Sequence, residues 1–288
     1  MIGFIGLGIM GGSMAENLVE KGFELVVHNR TKDKAEALIK KGAKWADSPQ
    51  KVAEQAEIVF TMLANPQVVE EVALSENGFL HHLAEGNLWV DCSTVDPTFS
   101  RRMATEAVKR GVRFIDAPVT GSRVPAKQAE LVFLVGGNQE DLSEVKPMLQ
   151  AMGKEISYQG EVGKGTTMKV IINLMLAQSM AAFAEAVSLG EALGLEKETV
   201  VNTLLNGPTT APFLKGKKDK VMNRDFSADF PLEHMQKDLQ LVAQAAFEHN
   251  IALPIANVTK EAYMQAKQKG FGKQDFSSIY KLFSKKDN

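Results

Sequence analysis

The chain has 288 residues and a formal net charge of -2, and 44% of its residues are hydrophobic. This length is comfortable for two domains, and this composition is that of a globular protein with a sizeable core. The nearly balanced charge does not favour binding to nucleic acid or to an anionic membrane surface. One cysteine, Cys92, excludes an internal disulfide and is typical of a reducing compartment. Because the first predicted strand begins at residue 2, we also expect no targeting peptide, and therefore a cytoplasmic protein.

The chain begins with a strand, turn and helix pattern that is typical of dinucleotide binding. An apolar run, Ile2 to Ile5, leads into Gly6-x-Gly8-x-x-Gly11, and helical periodicity follows from Met14 to Lys21. Such glycines allow a tight turn, a close approach of the backbone to a pyrophosphate, and packing of the helix on the strand. The free amides at the start of the helix then face the phosphates. The residues expected to contact the cofactor here are Gly6, Leu7, Gly8, Ile9, Met10 and Gly11.

Further apolar runs alternate with helical segments over roughly the first 160 residues, which indicates βαβ units and a mainly parallel sheet. The predicted strands are 3–5, 24–28, 58–62, 88–91, 113–116 and 131–135. The other predicted helices are 32–41, 49–54, 66–74, 97–110 and 141–150. The strands after Arg113 need not all be parallel, since mixed sheets are common.

Helical periodicity dominates after Tyr158, and no strand is predicted beyond it. A long apolar helix is predicted over 166–193, and polar residues such as Asn173 interrupt it. These interruptions indicate a helix buried in protein rather than in lipid, because each polar group is costly in hydrocarbon. The sequence therefore predicts a doubly wound, Rossmann-type α/β domain over residues 1–162 and an all-helical domain over 163–288.

The end of the second predicted strand bears on the choice of dinucleotide. NAD-binding folds place an acidic residue about 20 positions beyond the glycines, where it binds the ribose 2′-hydroxyl. Here that place holds Asn29, Arg30 and Thr31, with no carboxylate before Asp33. A guanidinium can grip a 2′-phosphate, and Thr31 can add a hydroxyl donor or cap the next helix. NADP(H) is therefore favoured over NAD(H), although Arg30 can also be read as a surface residue at a strand end.

Two further strand ends supply candidate cofactor contacts. Thr94 follows the strand at 88–91 and is expected to touch the nicotinamide end of the cofactor or the substrate, or else to cap the helix that begins near Asp96. Met62 and Leu63, at the end of the strand before it, are predicted cofactor contacts. Ligands in open α/β sheets bind at this carboxyl edge.

A glycine-serine segment follows the strand at 113–116. Gly121 permits an unusual backbone shape, and its amide with that of Ser122 can form a concavity for a substrate carboxylate. Arg123 extends this concavity outward, towards a longer acid. The alternative is an ordinary turn.

Lys169 and Asn173 lie four residues apart at the start of the long helix, and hence on one face of it. Partial burial of a lysine there favours proton transfer near neutral pH, and Asn173 can orient the lysine or bind the substrate. The alternative is a solvated lysine in the first helical turn. No metal site is expected.

Together these motifs resemble those of the β-hydroxyacid dehydrogenase family, over essentially the whole chain. The segments that carry the resemblance are Gly6–Gly11 through Asn17-Leu18, Asp91–Thr94, Asp116–Ser122, Gly163–Asn173 and Lys237-Asp238-Leu239. The resemblance implies a Rossmann domain, an all-helical domain, and reversible hydride transfer between NAD(P) and a short hydroxy acid. It also implies that Lys169 is the general acid in reduction, that Ser122 and Asn173 contact the substrate, and that Thr94 and Lys237 contact the cofactor.

Residues 230–238 and 29–31 look closest to the NADPH-dependent glyoxylate and succinic-semialdehyde reductase branch. The resemblance departs from the family at two positions. Thr120 stands where the family usually has Ser, and Ala129 where it usually has Gly, which puts a turn with positive φ at residue 129 in doubt.

The sequence thus favours an NADPH-dependent reductase of short, carboxylate-bearing aldehydes or keto acids. The alternatives are an NAD-dependent 3-hydroxyisobutyrate dehydrogenase, an imine reductase of the same architecture, and a non-catalytic NADPH-binding module. The physiological substrate and direction stay open. The long apolar helix has more face than one small domain covers, so we expect a dimer or tetramer.

Overall fold

The computed structural model describes residues 1–284; residues 285–288 of the predicted second domain lie outside the described residues. The strands all lie in one sheet, and they are β1 (Ile2–Ile5), β2 (Leu25–His28), β3 (Lys44–Trp45), β4 (Ile58–Thr61), β5 (Leu88–Asp91), β6 (Arg113–Asp116), β7 (Val119–Thr120), β8 (Leu131–Gly136) and β9 (Gly153–Gly160).

The α-helices of the same residues are α1 (Ile9–Glu20), α2 (Glu36–Lys40), α3 (Pro49–Ala53), α4 (Pro66–Leu74), α5 (Pro97–Val108), α6 (Arg123–Lys127), α7 (Gln139–Met152), α8 (Lys164–Ala192), α9 (Lys197–Asn206), α10 (Lys218–Asn223), α11 (Leu232–Glu248), α12 (Pro254–Ala266) and α13 (Tyr280–Phe283). Short 3₁₀ turns supplement them, including Lys32–Ala35 ahead of α2.

The sheet confirms the predicted Rossmann-type fold class. Strands run β3-β2-β1-β4-β5-β6 in parallel, after which β8 pairs antiparallel with β6 and β7, and β9 pairs parallel with β8. The expectation that the later strands need not all be parallel is therefore confirmed. The parallel strands place all of their carboxyl ends at one edge of the sheet.

Side chains alternate between the two faces of this sheet and fill a separate core on each. Phe4 and Phe60 stack on one face with ring centroids 6.1 Å apart, whereas Val59 and Trp89 belong to the other core. Strands with both faces covered read as continuous apolar runs, which is why the sequence predicted them.

Three helices begin with a capping residue followed by proline. The Ser48, Asn65 and Asp96 side chains accept hydrogen bonds from backbone amides three residues on, at 3.2, 2.9 and 2.7 Å. Proline has no amide hydrogen to lose at the first helical position, so these pairs define the starts of α3, α4 and α5.

Contacts divide the chain into a compact unit over Met1–Val170 and a second one from Ile171 onwards. The boundary predicted from the sequence, at 162/163, lies slightly earlier. The difference arises because the first turns of α8 are hydrogen-bonded to the sheet of the first unit, as described below.

The second unit is helical within the described residues. Its core contains Met180, Phe183, Met235 and Tyr263. By length and composition α8 could cross a membrane, yet 44% of its apolar window is buried in protein. The core helix of a protein that does not span a membrane can have the same length and hydropathy, so α8 is weak evidence for a membrane span.

The turn at residue 129 keeps its positive φ although alanine stands where the family usually has glycine. Ala129 adopts φ 54°, which is a left-handed conformation. This conformation costs an L-residue about 1–2 kcal/mol. The turn therefore carries strain that a glycine would relieve.

We predict that Ala129→Gly raises the free energy of unfolding. Relief of the strain exceeds the extra freedom of glycine in the unfolded chain, about 0.4–1 kcal/mol, so the net gain is on the order of 0.5–1 kcal/mol. Urea unfolding measures it. The matched control is Ala104→Gly, a partly buried alanine inside α5, which should lower stability by about 1 kcal/mol. Equal losses in both variants would contradict the strain at residue 129.

Candidate active site

The glycine turn after β1 has the geometry that a dinucleotide requires. Gly6 adopts φ 101°, and a Cβ on Gly11 would collide with the carbonyl oxygen of Gly6. A Cβ on Gly8, in contrast, would meet no atom within 4 Å. Gly8 also begins α1 without a side-chain cap, so the first amides of α1 are left for a ligand. This turn fits a pyrophosphate.

The end of β2 supports the glycine turn. The Asn29 side chain accepts a hydrogen bond from the Leu7 amide at 3.0 Å and donates to the Thr31 carbonyl at 2.9 Å. Asn29 therefore shapes the loop. Thr31 begins the following 3₁₀ turn without a side-chain cap, so the suggested capping role is wrong. Arg30 is exposed and forms no ion pair within residues 1–284.

The ends of β4 and β5 are joined by a buried polar network. Thr61 Oγ1 accepts from Trp89 Nε1 at 2.8 Å and donates to Asp91 Oδ1 at 2.7 Å. The Leu63 amide donates to Ser93 Oγ at 2.9 Å, and the Ser93 amide to Asp91 at 3.1 Å. Burial raises the pKa of Asp91. The network fixes the backbone at and beside Leu63 and Thr94, the two predicted cofactor contacts at these strand ends.

Met62, Leu63 and Thr94 are half-buried at these strand ends. The carbonyl of Met62 and the side chain of Leu63 pack against Gly6, where a Cβ would clash with both. The capping alternative for Thr94 is wrong, because Asp96 caps α5. Cys92 is fully buried, and burial raises the pKa of its thiol well above the usual value.

The glycine-serine segment after β7 has the predicted backbone shape. Gly121 adopts φ 111°, and Ser122 begins α6 without using its hydroxyl as a cap. Ser122 is half-buried, while Gly121 and Arg123 are exposed. The Ser122 hydroxyl and the local amides are therefore placed on an accessible surface.

A carboxylate that the sequence did not single out anchors the start of α8. Asp116, at the end of β6, accepts hydrogen bonds from the Gly163 amide at 2.7 Å and the Thr166 amide and hydroxyl at 2.7 and 2.9 Å. Burial raises its pKa. A Cβ on Gly136 would lie 2.6 Å from this carboxylate, and one on Gly165 3.0 Å, so both glycines make room for it.

Lys169 lies in the second turn of α8 and is 9% exposed. The alternative of a solvated lysine in the first turn is therefore wrong. Because α8 begins at the end of β6, the first unit brings Lys169 to the sheet edge that also carries the other segments predicted to bind ligands.

In the second unit, Asp238 on α11 brings two predicted residues together. Asn173 Nδ2 donates to Asp238 Oδ2 at 2.6 Å, and Lys237 Nζ lies 2.8 Å from Asp238 Oδ1. Asp238 is 1% exposed. The amide nitrogen of Asn173 is thus engaged by a carboxylate. The signal for Asp238 was its place in the Lys237-Asp238-Leu239 segment.

This geometry defines a Rossmann-type dinucleotide-binding protein with a buried lysine at the carboxyl edge of its sheet. Two family models match the chain: the NAD binding domain of 6-phosphogluconate dehydrogenase over residues 1–160, and the NAD-binding domain of NADP-dependent 3-hydroxyisobutyrate dehydrogenase over 163–283.

Two relatives from Arabidopsis thaliana are similar over 96% of this chain. Glyoxylate/succinic semialdehyde reductase 2, chloroplastic, is 37% identical and 78% covered, and glyoxylate/succinic semialdehyde reductase 1 is 35% identical and 96% covered. The structure of Mycobacterium tuberculosis 3-hydroxyisobutyrate dehydrogenase with L-serine superposes with a TM-score of 0.88 at 28% identity, covering 97% of each chain. The chain belongs to the β-hydroxyacid dehydrogenase family, and it is an oxidoreductase that acts on CH–OH groups with a nicotinamide cofactor.

We predict that Asp116→Asn destabilises the start of α8. An amide offers one acceptor oxygen and turns its NH₂ towards donors, and the close glycines leave no room to rearrange. The loss should be about 1–3 kcal/mol in urea unfolding. Asp96→Asn is the control, because asparagine caps a helix as well as aspartate does. Two variants of equal stability would show that the Asp116 contacts contribute nothing.

Proposed function

We propose that the chain is an NADPH-dependent reductase that converts short aldehydes or keto acids bearing a carboxylate, such as glyoxylate and succinic semialdehyde, to hydroxy acids. The observation that carries this proposal is the buried Lys169 in a helix anchored at the carboxyl edge of the sheet. The names of the Arabidopsis relatives support the substrate class.

The proposed chemistry assigns one task to each segment. When bound, the cofactor would supply a hydride to the carbonyl carbon. Lys169 stabilises the negative charge that grows on the carbonyl oxygen and delivers a proton to it. The Ser122 hydroxyl and the amides around Gly121 hold the carboxylate, and Arg123 extends this surface. The Mycobacterium tuberculosis relative was solved with L-serine, itself a small hydroxy acid with a carboxylate.

The proposed preference for NADPH rests on the end of β2. Arg30 is exposed there without an ion pair among residues 1–284, and Thr31 keeps its hydroxyl free of capping. These groups can hold a 2′-phosphate, whereas a carboxylate suited to a 2′-hydroxyl is missing from residues 29–32. In the second unit, Lys237 is the proposed cofactor contact.

A second candidate is oxidation of 3-hydroxyisobutyrate, which the similarity to the Mycobacterium tuberculosis enzyme favours. It uses the same lysine as a base in the reverse direction. Steady-state rates with a panel of short aldehydes, keto acids and hydroxy acids, each with NADPH or NADH, separate the two. The proposed reductase fails if 3-hydroxyisobutyrate with NAD⁺ is the best pair.

We predict that Lys169→Ala lowers kcat by at least about 10², because both the proton and the local positive charge are lost. The affinity for NADPH should change little. Lys169→Arg should not restore the rate, because a guanidinium keeps its proton at any working pH. Lys164→Ala, an exposed lysine of the same helix, is the control. Single-turnover NADPH oxidation measures the step, and a Lys169→Ala rate within about threefold of wild type would sink the mechanism.

We predict that Arg30→Asp weakens NADPH by roughly 10- to 100-fold while NADH binding changes much less, since one charge-assisted contact is lost and repulsion is added. Fluorescence titration of both cofactors measures the ratio. Lys154→Asp, an exposed lysine on β9, controls for net charge. A wild-type enzyme that already uses both cofactors equally well contradicts the assignment.

We also propose a homo-oligomer, formed through apolar side chains that the second unit leaves exposed. Met175 and Leu189 on α8 are 59% and 60% exposed, and Ile255 and Val258 on α12 are 70% and 72% exposed. Large apolar side chains left exposed in this number can form an interface with a second copy of the chain. Light scattering coupled to size-exclusion chromatography should give a dimer or tetramer, and a monomer at micromolar concentration would refute it. The cytoplasmic location stays a prediction.

A further inference from the structure

The segment that carries the proposed carboxylate site is short, and a residue with positive φ lies on each side of it. α6 has five residues. Gly121 precedes it at φ 111°, and Ala129 follows it at φ 54°. A helix of little more than one turn does not hold its own shape in water. Ser122 therefore needs support from elsewhere in the first unit.

Asn17 on α1 provides such support. Its Nδ2 donates to the carbonyl oxygen of Ala126 in α6 at 2.8 Å. Asn17 is 8% exposed and Ala126 is fully buried. The bond joins residues 109 positions apart in the sequence. It ties α1, whose first amides are left for a pyrophosphate, to α6, which follows directly after Ser122.

The connection continues from Asn17 to the proposed substrate segment through the backbone of a single residue, Ala126. The Ala126 amide donates to the carbonyl oxygen of Ser122 at 3.0 Å. The position of Ser122 is thus connected to Asn17 by two hydrogen bonds.

The apolar surroundings of Asn17 make a polar side chain at this position costly in free energy. Its neighbours on α1, Met14 and Leu18, are fully buried in the apolar core. A buried amide there costs free energy unless it is hydrogen-bonded, and an apolar side chain would need no partner. An apolar side chain could not donate the hydrogen bond to the Ala126 carbonyl, and this bond is therefore the specific contribution of Asn17.

From these contacts we infer that Asn17 is a positioning residue for substrate selectivity: it holds Ser122 and Gly121 where they can receive a carboxylate beside the cofactor helix. The inference rests on the proposed function, because it assumes that this segment binds the substrate carboxylate. Asn17 does not itself touch the reacting atoms.

The test compares an acid with an uncharged aldehyde of the same length. In Asn17→Leu the side chain keeps its size but leaves the Ala126 carbonyl without its donor. We expect kcat/KM for succinic semialdehyde to fall by at least about tenfold, mostly through KM, because a small displacement of a positioning group is costly. The value for butanal should stay within about threefold, and so should the Kd of NADPH.

Asn87→Leu is the matched control. Asn87 makes the same kind of bond, from Nδ2 to the Ala56 carbonyl at 3.1 Å, but it precedes β5 and lies at the opposite edge of the sheet. Loss of this bond should lower the free energy of unfolding and leave the ratio of kcat/KM for succinic semialdehyde to that for butanal unchanged. Asn17→Ala, in which space remains for a water molecule, is judged by the same ratio if the leucine variant does not fold.

The results separate the inference from the proposed function. The wild-type ratio tests the carboxylate site, since equal efficiency for succinic semialdehyde and butanal removes that site and the role of Asn17 with it. If the wild type prefers the acid and the Asn17 variants keep the same preference, the role of Asn17 is refuted and the proposed carboxylate site is not. A parallel fall for both aldehydes also overturns it, because that pattern reports general loosening.

Discussion

The buried carboxylate of Asp116 joins the sheet to α8, and the placement of Lys169, the proposed proton donor, depends on that junction. Two amides and a hydroxyl donate to it at 2.7 to 2.9 Å. The start of a helix carries unpaired amides and a partial positive charge, which compensate an acceptor that burial would otherwise disfavour. Lys169 follows in the next turn. Its position is therefore set by the end of β6, a rigid element, rather than by the loop before the helix.

The sheet order explains why the predicted cofactor contacts of the first unit lie at one place on the sheet edge. The chain runs outward from β1 through β2 to β3 and then returns to place β4 on the other side of β1. Ligands of open α/β sheets bind where this direction reverses. The glycine turn follows β1, and Leu63 follows β4, so both flank that crevice. The Asp91 network extends the same rigid edge to Thr94.

Hydrogen bonds between distant segments then refine these positions. Asn29 holds the glycine turn, Asn17 holds α6, and Asp238 holds Asn173. Each is a buried or half-buried polar side chain with a partner far away in the sequence. Such groups are tolerated inside a protein because they are paired, and the pairing restricts the backbone to one arrangement.

Some elements were missed because their signals are tertiary. β3 and β7 have two residues each, too few for a periodic pattern, and they exist because neighbouring strands pair with them. β9 has eight residues, but it lies at the outer side of β8 and is largely polar and only partly buried, so it lacks the apolar run of a covered strand. α6 has five residues, which is also too few for a helical period to show in the sequence.

By itself the sequence determined the class of fold, the family and the cofactor turn, because these depend on local patterns. Apolar runs of four residues make covered strands, and glycine spacing marks a turn in which side chains do not fit. The sequence could also point to Lys169, through its spacing from Asn173. Only the tertiary structure decided which partners hold these residues. Asp116, Asn17 and Asp238 act on segments remote in the chain, and hydrogen bonds of that kind follow from packing, which no local pattern encodes.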